Sequence, residues 1–118
     1  MLKKIIDSLK ADGFEVYPPA IKTGQCKRSY IVVKDNGSSK ISDISSMYHY
    51  FLIMCYVPQD NYTDLPDYVK SVENSMKKLQ PEIVSTNTIS GSFYDASINA
   101  HMQSLQYSNA RKLYGIIR

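Results

Sequence analysis

The chain has no tryptophan, and in 118 residues it has two cysteines, two histidines and five glycines. Each scarcity removes a class of chemistry. Cys26 and Cys55 are far apart and fit no metal-ligand spacing. In a reducing compartment no disulfide between them is expected. The glycines build no loop that could cradle a phosphate. His49 and His101 can be drawn with Cys55 or Asp95 as a triad or a metal site, but their spacing imposes neither. Acidic pairs such as Asp64 and Asp67 are explained by a helix start. The expectation is a chain with no catalytic residue, no cofactor and no metal, which is not an enzyme.

Long hydrophobic runs are also missing. The longest, Ser45 to Pro58, is too short and too polar at its flanks to span a bilayer. The opening Met1-Leu2-Lys3-Lys4-Ile5-Ile6-Asp7 starts as a secretory leader would, but Asp7 interrupts it. Residence in the cytoplasm, or in a particle assembled there, is the expectation. The net charge of +3 is modest, and nothing resembles the clustered basic stripe of a dedicated nucleic-acid binder. The distribution is uneven, however. Residues 1–40 carry eight Lys/Arg against four Asp/Glu, residues 41–100 three against seven, and residues 101–118 three against none. This is either ordinary solvated charge or a means for one copy's surface to meet another's.

What the chain does have is tyrosine: ten, against three phenylalanines. A tyrosine has a large apolar body and a polar tip, which suits surfaces half-buried between partners. Three tyrosines fall in Met47-Tyr48-His49-Tyr50-Phe51-Leu52-Ile53-Met54-Cys55-Tyr56-Val57-Pro58. At period two, Tyr48, Tyr50, Leu52, Met54 and Tyr56 share one face. His49, Phe51, Ile53, Cys55 and Val57 share the other. Both faces are apolar or aromatic, as in a central strand covered on both sides. On this reading Cys55 is a buried thiol and His49 a packed or hydrogen-bonded core histidine. Cys26 lies in a polar connector where a thiol can be exposed.

The remaining elements fall around this strand. Leu2, Ile5, Ile6 and Leu9 make one helical stripe over residues 2–11, and Gly13 stands where a left-handed stop is wanted. Residues 15–17 read as a short strand, and Arg28 to Lys34 as a firm one. Asn36-Gly37 predicts a hairpin turn within a mobile loop at 35–46, in which only Ile41 and Ile44 are apolar. Thr63 or Asp64 caps a second helix with Pro66 in its first turn; Leu65, Val69, Val72, Met76 and Leu79 form its stripe. Residues 82–86 suggest a short strand. Residues 97–107 suit a helix or a strand; the alternation over Ser97–Gln103 favours a strand, with a bulge where Leu105 breaks phase and His101 on a solvated face. Residues 108–118 read as a basic tail that docks on something. The fold class expected is α+β: one domain, residues 1–118, a mainly antiparallel sheet with two helices on one face. The other face then lacks helical cover, and the doubly apolar central strand suggests that it meets another subunit.

The order of segments resembles the tail terminator, or tail-to-head joining, proteins of long-tailed bacteriophages, closest to versions from Gram-positive phages and phage-like contractile particles. The resemblance rests on the aromatic strand Met47–Pro58, the loop Asp60-Asn61-Tyr62-Thr63-Asp64-Leu65 and the helix through Ser75-Met76-Lys77-Lys78-Leu79. Ser92-Phe93-Tyr94-Asp95 and Ala100 to Tyr107 add to it. It covers most of residues 1–110. It implies a viral structural protein with no enzymatic activity and no cofactor. Such a subunit forms a hexameric ring that caps the tail tube, stops its elongation and offers a neck or collar interface to the head connector. In a contractile tail the ring also touches the sheath. The implied partners are further copies of itself, the tail tube protein, and the sheath and connector. No membrane and no specific nucleic acid are implied. The implied location is the virion or phage-like particle, assembled in the host cytoplasm. Ile41, Ile44, Tyr48, Tyr50, Arg111, Lys112 and Tyr114 are the expected contacts with neighbouring subunits or the tube. Two alternatives fit the same residues: a head-completion or neck adaptor protein, and a small nucleic-acid-binding regulatory module using the basic ends and tyrosines.

Overall fold

The computed structural model describes residues 2–19, 26–40, 46–80 and 82–112, and of residues 38–40, 46–48, 88 and 110–112 the backbone alone. The chain runs α1 (Leu2–Ala11), β1 (Val16–Tyr17), β2 (Tyr30–Lys40), β3 (Ser46–Pro58), α2 (Leu65–Met76), β4 (Val84–Ile89), β5 (Phe93–Asp95) and β6 (Ala100–Lys112). The strands form one six-stranded sheet in the order β1-β2-β3-β6-β4, with β5 pairing β6. Among the described residues only β1 and β2 run parallel; every other pairing is antiparallel. The aromatic run is therefore the middle strand, as its two apolar faces require.

Both helices pack on one face. Ile5 and Leu9 of α1, and Leu65, Val69, Val72 and Met76 of α2, are buried against Ile31, Val33, Phe51, Ile53, Cys55, Val57, Leu105 and Tyr107 of the sheet. The odd-numbered residues of β3 from Phe51 to Val57 thus face the helices, and the even-numbered ones face away. Each fully buried aliphatic or aromatic side chain in such a cluster contributes roughly 1.5–3 kcal/mol, so this one-sided core is the main source of stability.

Local chemistry sets the helix ends. After α1, Phe14 N–H reaches Leu9 O and Gly13 N–H reaches Lys10 O. That double bond is a Schellman stop, and Gly13, at φ +93°, supplies its left-handed residue. Before α2 the capping expectation is corrected. Residues Gln59–Asp64 already coil as a 3-10 helix, Asp64 has helical angles, and no side chain caps the helix. The backbone enters α2 already turning, so no cap is needed to start it.

Three further expectations are corrected. Asn36-Gly37 makes no hairpin turn: β2 continues through it to Lys40. Between Asp35↔Phe51 and Ser38↔His49, β2 advances three residues against two on β3, which is a bulge. Gly37 takes φ +92° there, and its N–H donates to Asp35 Oδ1 at 2.9 Å. The Asn-Gly pair provides a left-handed residue in either setting, and strand pairing on both sides of it selects the bulge. Secondly, β6 begins at Ala100, after a turn in which Asn99 takes φ 51°. It pairs with β3 in unbroken register from Pro58↔Ala100 to Ser46↔Lys112. Against β3 there is no bulge at Leu105, and Met102 and Leu105 lie on opposite faces because both faces bury apolar groups. The irregularity there is in the β4–β6 ladder, which shifts between Ser85↔Tyr107 and Ile89↔Leu105 with the extra residues on β4. Thirdly, residues 108–112 are not a tail but the end of β6.

The three long strands run on past the core. Asp35–Lys40, Ser46–Tyr50 and Ser108–Lys112 make a three-stranded ribbon beyond Phe51 and Tyr107, where the helix-side cluster stops. The molecule measures 48 × 25 × 24 Å, with a radius of gyration of 15.2 Å. A compact chain of this length has about 13.5 Å.

Candidate assembly surfaces

The helix-free face of the sheet has two zones. Near the base, Tyr30 is buried with Cys26 and Ala100, and Tyr17, Val32, Tyr56 and Ile98 pack against them. Cys26 is therefore not exposed. Its N–H donates to Ile98 O at 2.8 Å, and its thiol contacts Arg28 O at 3.4 Å. Further up, Val32, Tyr50, Leu52 and Met54 are half-buried. They adjoin Ser104, Gln106 and Ser108 of β6, whose register partners on β3 are Met54, Leu52 and Tyr50. This is an apolar stripe with a small-residue polar border.

The ribbon carries most of the expected contact residues. Tyr48 pairs with Ser39 on one side and Ala110 on the other; Tyr50 pairs with Ser108; Arg111 pairs with Met47, and Lys112 with Ser46. Four of the seven are thus brought together on neighbouring strands. Ile41, Ile44 and Tyr114 lie outside the described residues. Where the ribbon leaves the core, His49 Nε2 stands 3.0 Å from Asp35 Oδ2, and its ring lies 5.0 Å from Phe51. The Gly37 N–H, and secondarily His49, hold the Asp35 carboxyl below the usual carboxylate range.

The base of the molecule carries a surface that sequence reasoning missed. His101 is not simply solvated. Its ring lies 4.5 Å from Tyr62 and 5.1 Å from Tyr94. The Tyr62 hydroxyl is 3.1 Å from Ser92 Oγ, and the Tyr94 hydroxyl donates to Asn99 Oδ1 at 2.8 Å. Beside them Tyr62, Thr63, Leu65, Pro66, Ser92 and Gln103 line a hollow of about 370 Å³. Gln103 donates to Ser90 O at 2.8 Å, and Ser90 also pairs through its backbone with Ser104, which fixes the hollow's outer wall to β6. The sequence signal for this surface is the aromatic pair Phe93-Tyr94 just ahead of the last strand.

The two thiols are both buried. Burial pushes Cys55 up to about 12. Among the described residues, no group of three or more His, Cys, Asp or Glu converges as a metal site would. No described helix is long and apolar enough to cross a membrane. No protein-family model matches the chain, and no curated protein matches it in sequence.

Proposed function

We propose that this chain is an assembly subunit whose work is done by its surfaces. The observation that carries this reading is the one-sided sheet. Helices cover one face, while Val32, Tyr50, Leu52 and Met54 stay half-buried on the other, and a ribbon extends beyond the core. Half-buried aromatic and aliphatic side chains on a flat sheet are suited to a partner's surface.

The particular role proposed is tail terminator of a phage or phage-like particle. A ring of these subunits caps the tail tube, ends its growth and presents a face to the head connector. The resemblance in segment order supports this, as does the uneven charge, since heterologous contacts that close by rotation make rings. The ribbon, with Tyr48, Tyr50, Arg111 and Lys112, is the part assigned to neighbours or tube. Negative-stain microscopy of particles from a strain lacking the gene tests the role. Tubes of irregular, excessive length, or tails without heads, are expected. Normal tails of fixed length would overturn it.

A further inference from the structure

The surface chemistry is divided along the long axis. Among the described residues, the exposed large hydrophobic side chains are Tyr62, Val84, Ile89, Phe93 and Tyr94. All five lie on the β4–β5 edge or in the 3-10 helix beside it. Tyr62, Phe93 and Tyr94 gather at the base, where β5 pairs with the first residues of β6, and are 49%, 51% and 41% exposed. Tyr62 lines the hollow, Tyr94 lies with it against His101, and Phe93, the partner of Met102, opens on the other face of the same edge. Aromatic side chains this exposed are the material of interface centres. The charge beside them is mainly acidic: Asp60 and Asp64 lie in the 3-10 helix and Asp95 in β5, against Lys27 and Arg28 at the foot of β2, of which Arg28 is paired with Glu15.

The ribbon end has the opposite sign. Lys40 and Arg111 stand on either side of Met47 in the ladder, and Lys112 stands opposite Ser46. The nearest described acid on the ribbon is Asp35, already engaged by His49 and Gly37. Along the 13 residues of β3 these two ends are about 40 Å apart. Opposite charges at opposite ends repel like ends and attract unlike ones, which selects contact between different surfaces of two copies.

We infer that the aromatic base of one copy, around Tyr62, Phe93 and Tyr94, receives the basic ribbon end of a second copy, Lys40, Arg111 and Lys112. The aromatic faces and the carboxylates of Asp60 and Asp64 both favour cations, the first through their ring quadrupole. This inference rests on the ring reading and gives that ring its two faces.

The test uses two full-length variants, Asp60→Lys with Asp64→Lys, and Arg111→Glu with Lys112→Glu. Sedimentation velocity is measured up to millimolar concentration, with circular dichroism to confirm folding. Wild type is expected to assemble. Each variant alone places like charges in every contact and is expected to dissociate at roughly tenfold higher concentration or more. Mixed one to one, the two variants restore attraction at both ends and are expected to reassemble in alternation. If a reversed variant fails to fold, Asp60→Asn with Asp64→Asn and Arg111→Gln with Lys112→Gln replace it, with weakening expected from each. Variants that assemble as wild type does, a mixture that stays apart, or a wild type that remains monomeric would overturn the contact. A mixture that reassembles but stops at two copies would uphold the contact and overturn the ring.

Discussion

Tyr30 and Tyr56 lie opposite each other in the β2–β3 ladder, and their rings stack with centroids 4.9 Å apart and planes at 14°. Tyr17 meets Tyr30 edge-on at 5.8 Å. Burial pushes the Tyr30 and Tyr56 hydroxyls above the ordinary phenol range. This cluster closes the base of the face that the helices leave open, so the face is packed at one end and half-buried along the rest.

Truncating Tyr30 should therefore cost stability, and truncating Tyr50 should cost assembly. Tyr30→Ala is expected to lose about 3 kcal/mol, in the range of a buried aromatic deletion. Tyr50→Ala, half-buried at the root of the ribbon, is expected to lose about 1 kcal/mol in the isolated subunit. Urea unfolding followed by circular dichroism measures both, and sedimentation should show the larger loss of assembly for Tyr50→Ala.

The glycines separate backbone strain from crowding. A Cβ at Gly13, Gly37 or Gly91 meets nothing within 4 Å, but Gly13 and Gly37 have positive φ and Gly91 does not. Gly13→Ala and Gly37→Ala are each expected to cost about 1–2 kcal/mol, and Gly91→Ala less than about 0.5 kcal/mol. Equal unfolding midpoints for all three would contradict the assigned conformations.

Acid should act on the ribbon root through Asp35. Its folded-state pKa is lowered, first by the Gly37 N–H and then by His49. The stability it adds is present above the ordinary carboxylate value, near 4, and is lost as pH falls through the lower folded value. The contribution is small, because Asp35 is about half exposed. In Asp35→Asn the fall in unfolding midpoint between pH 5 and about 2.5 should be shallower than in wild type. An unchanged slope would remove the role assigned to this carboxylate.

The alkaline side belongs to buried neutral groups. Burial pushes both Cys55 and Tyr107 up to about 12, with Glu73 adding to the effect. Folding thus favours their neutral forms. The stability they add is fully present below the unfolded values and is lost as pH rises through the folded ones. Stability should fall between about pH 9 and 12, less steeply in Cys55→Ala. A disulfide reagent at pH 8 should find no thiol in the folded chain and two in denaturant, since Cys26 and Cys55 are both buried.

Periodicity carried the reading a long way. The stripe Leu65, Val69, Val72, Met76 and Leu79 is buried residue for residue. The division of β3 into two faces held because a central strand must satisfy both. Signals with more than one structural use failed. Asn36-Gly37 serves a bulge as well as a turn, and the connector holding Cys26 is polar yet places that thiol under the Tyr30 cluster. The alternation of residues 97–107 marked a strand without its true start. Asn99, in a left-handed turn, divides β5 from β6, and such a turn has no period.

Local composition and spacing thus determined the helix stripes, the central strand, the Schellman stop at Gly13 and the α+β class, because each depends on neighbours within a few residues. The tertiary structure decided which strand lies beside which, and with it everything about surfaces. Pairing β3 with β6 rather than with β4 placed Arg111 and Lys112 beside Lys40 at one end, and β5 beside Tyr62 and His101 at the other. Those contacts join residues up to about 70 positions apart, and no spacing along the chain encodes them. Only the burial of both faces of one strand selects that order.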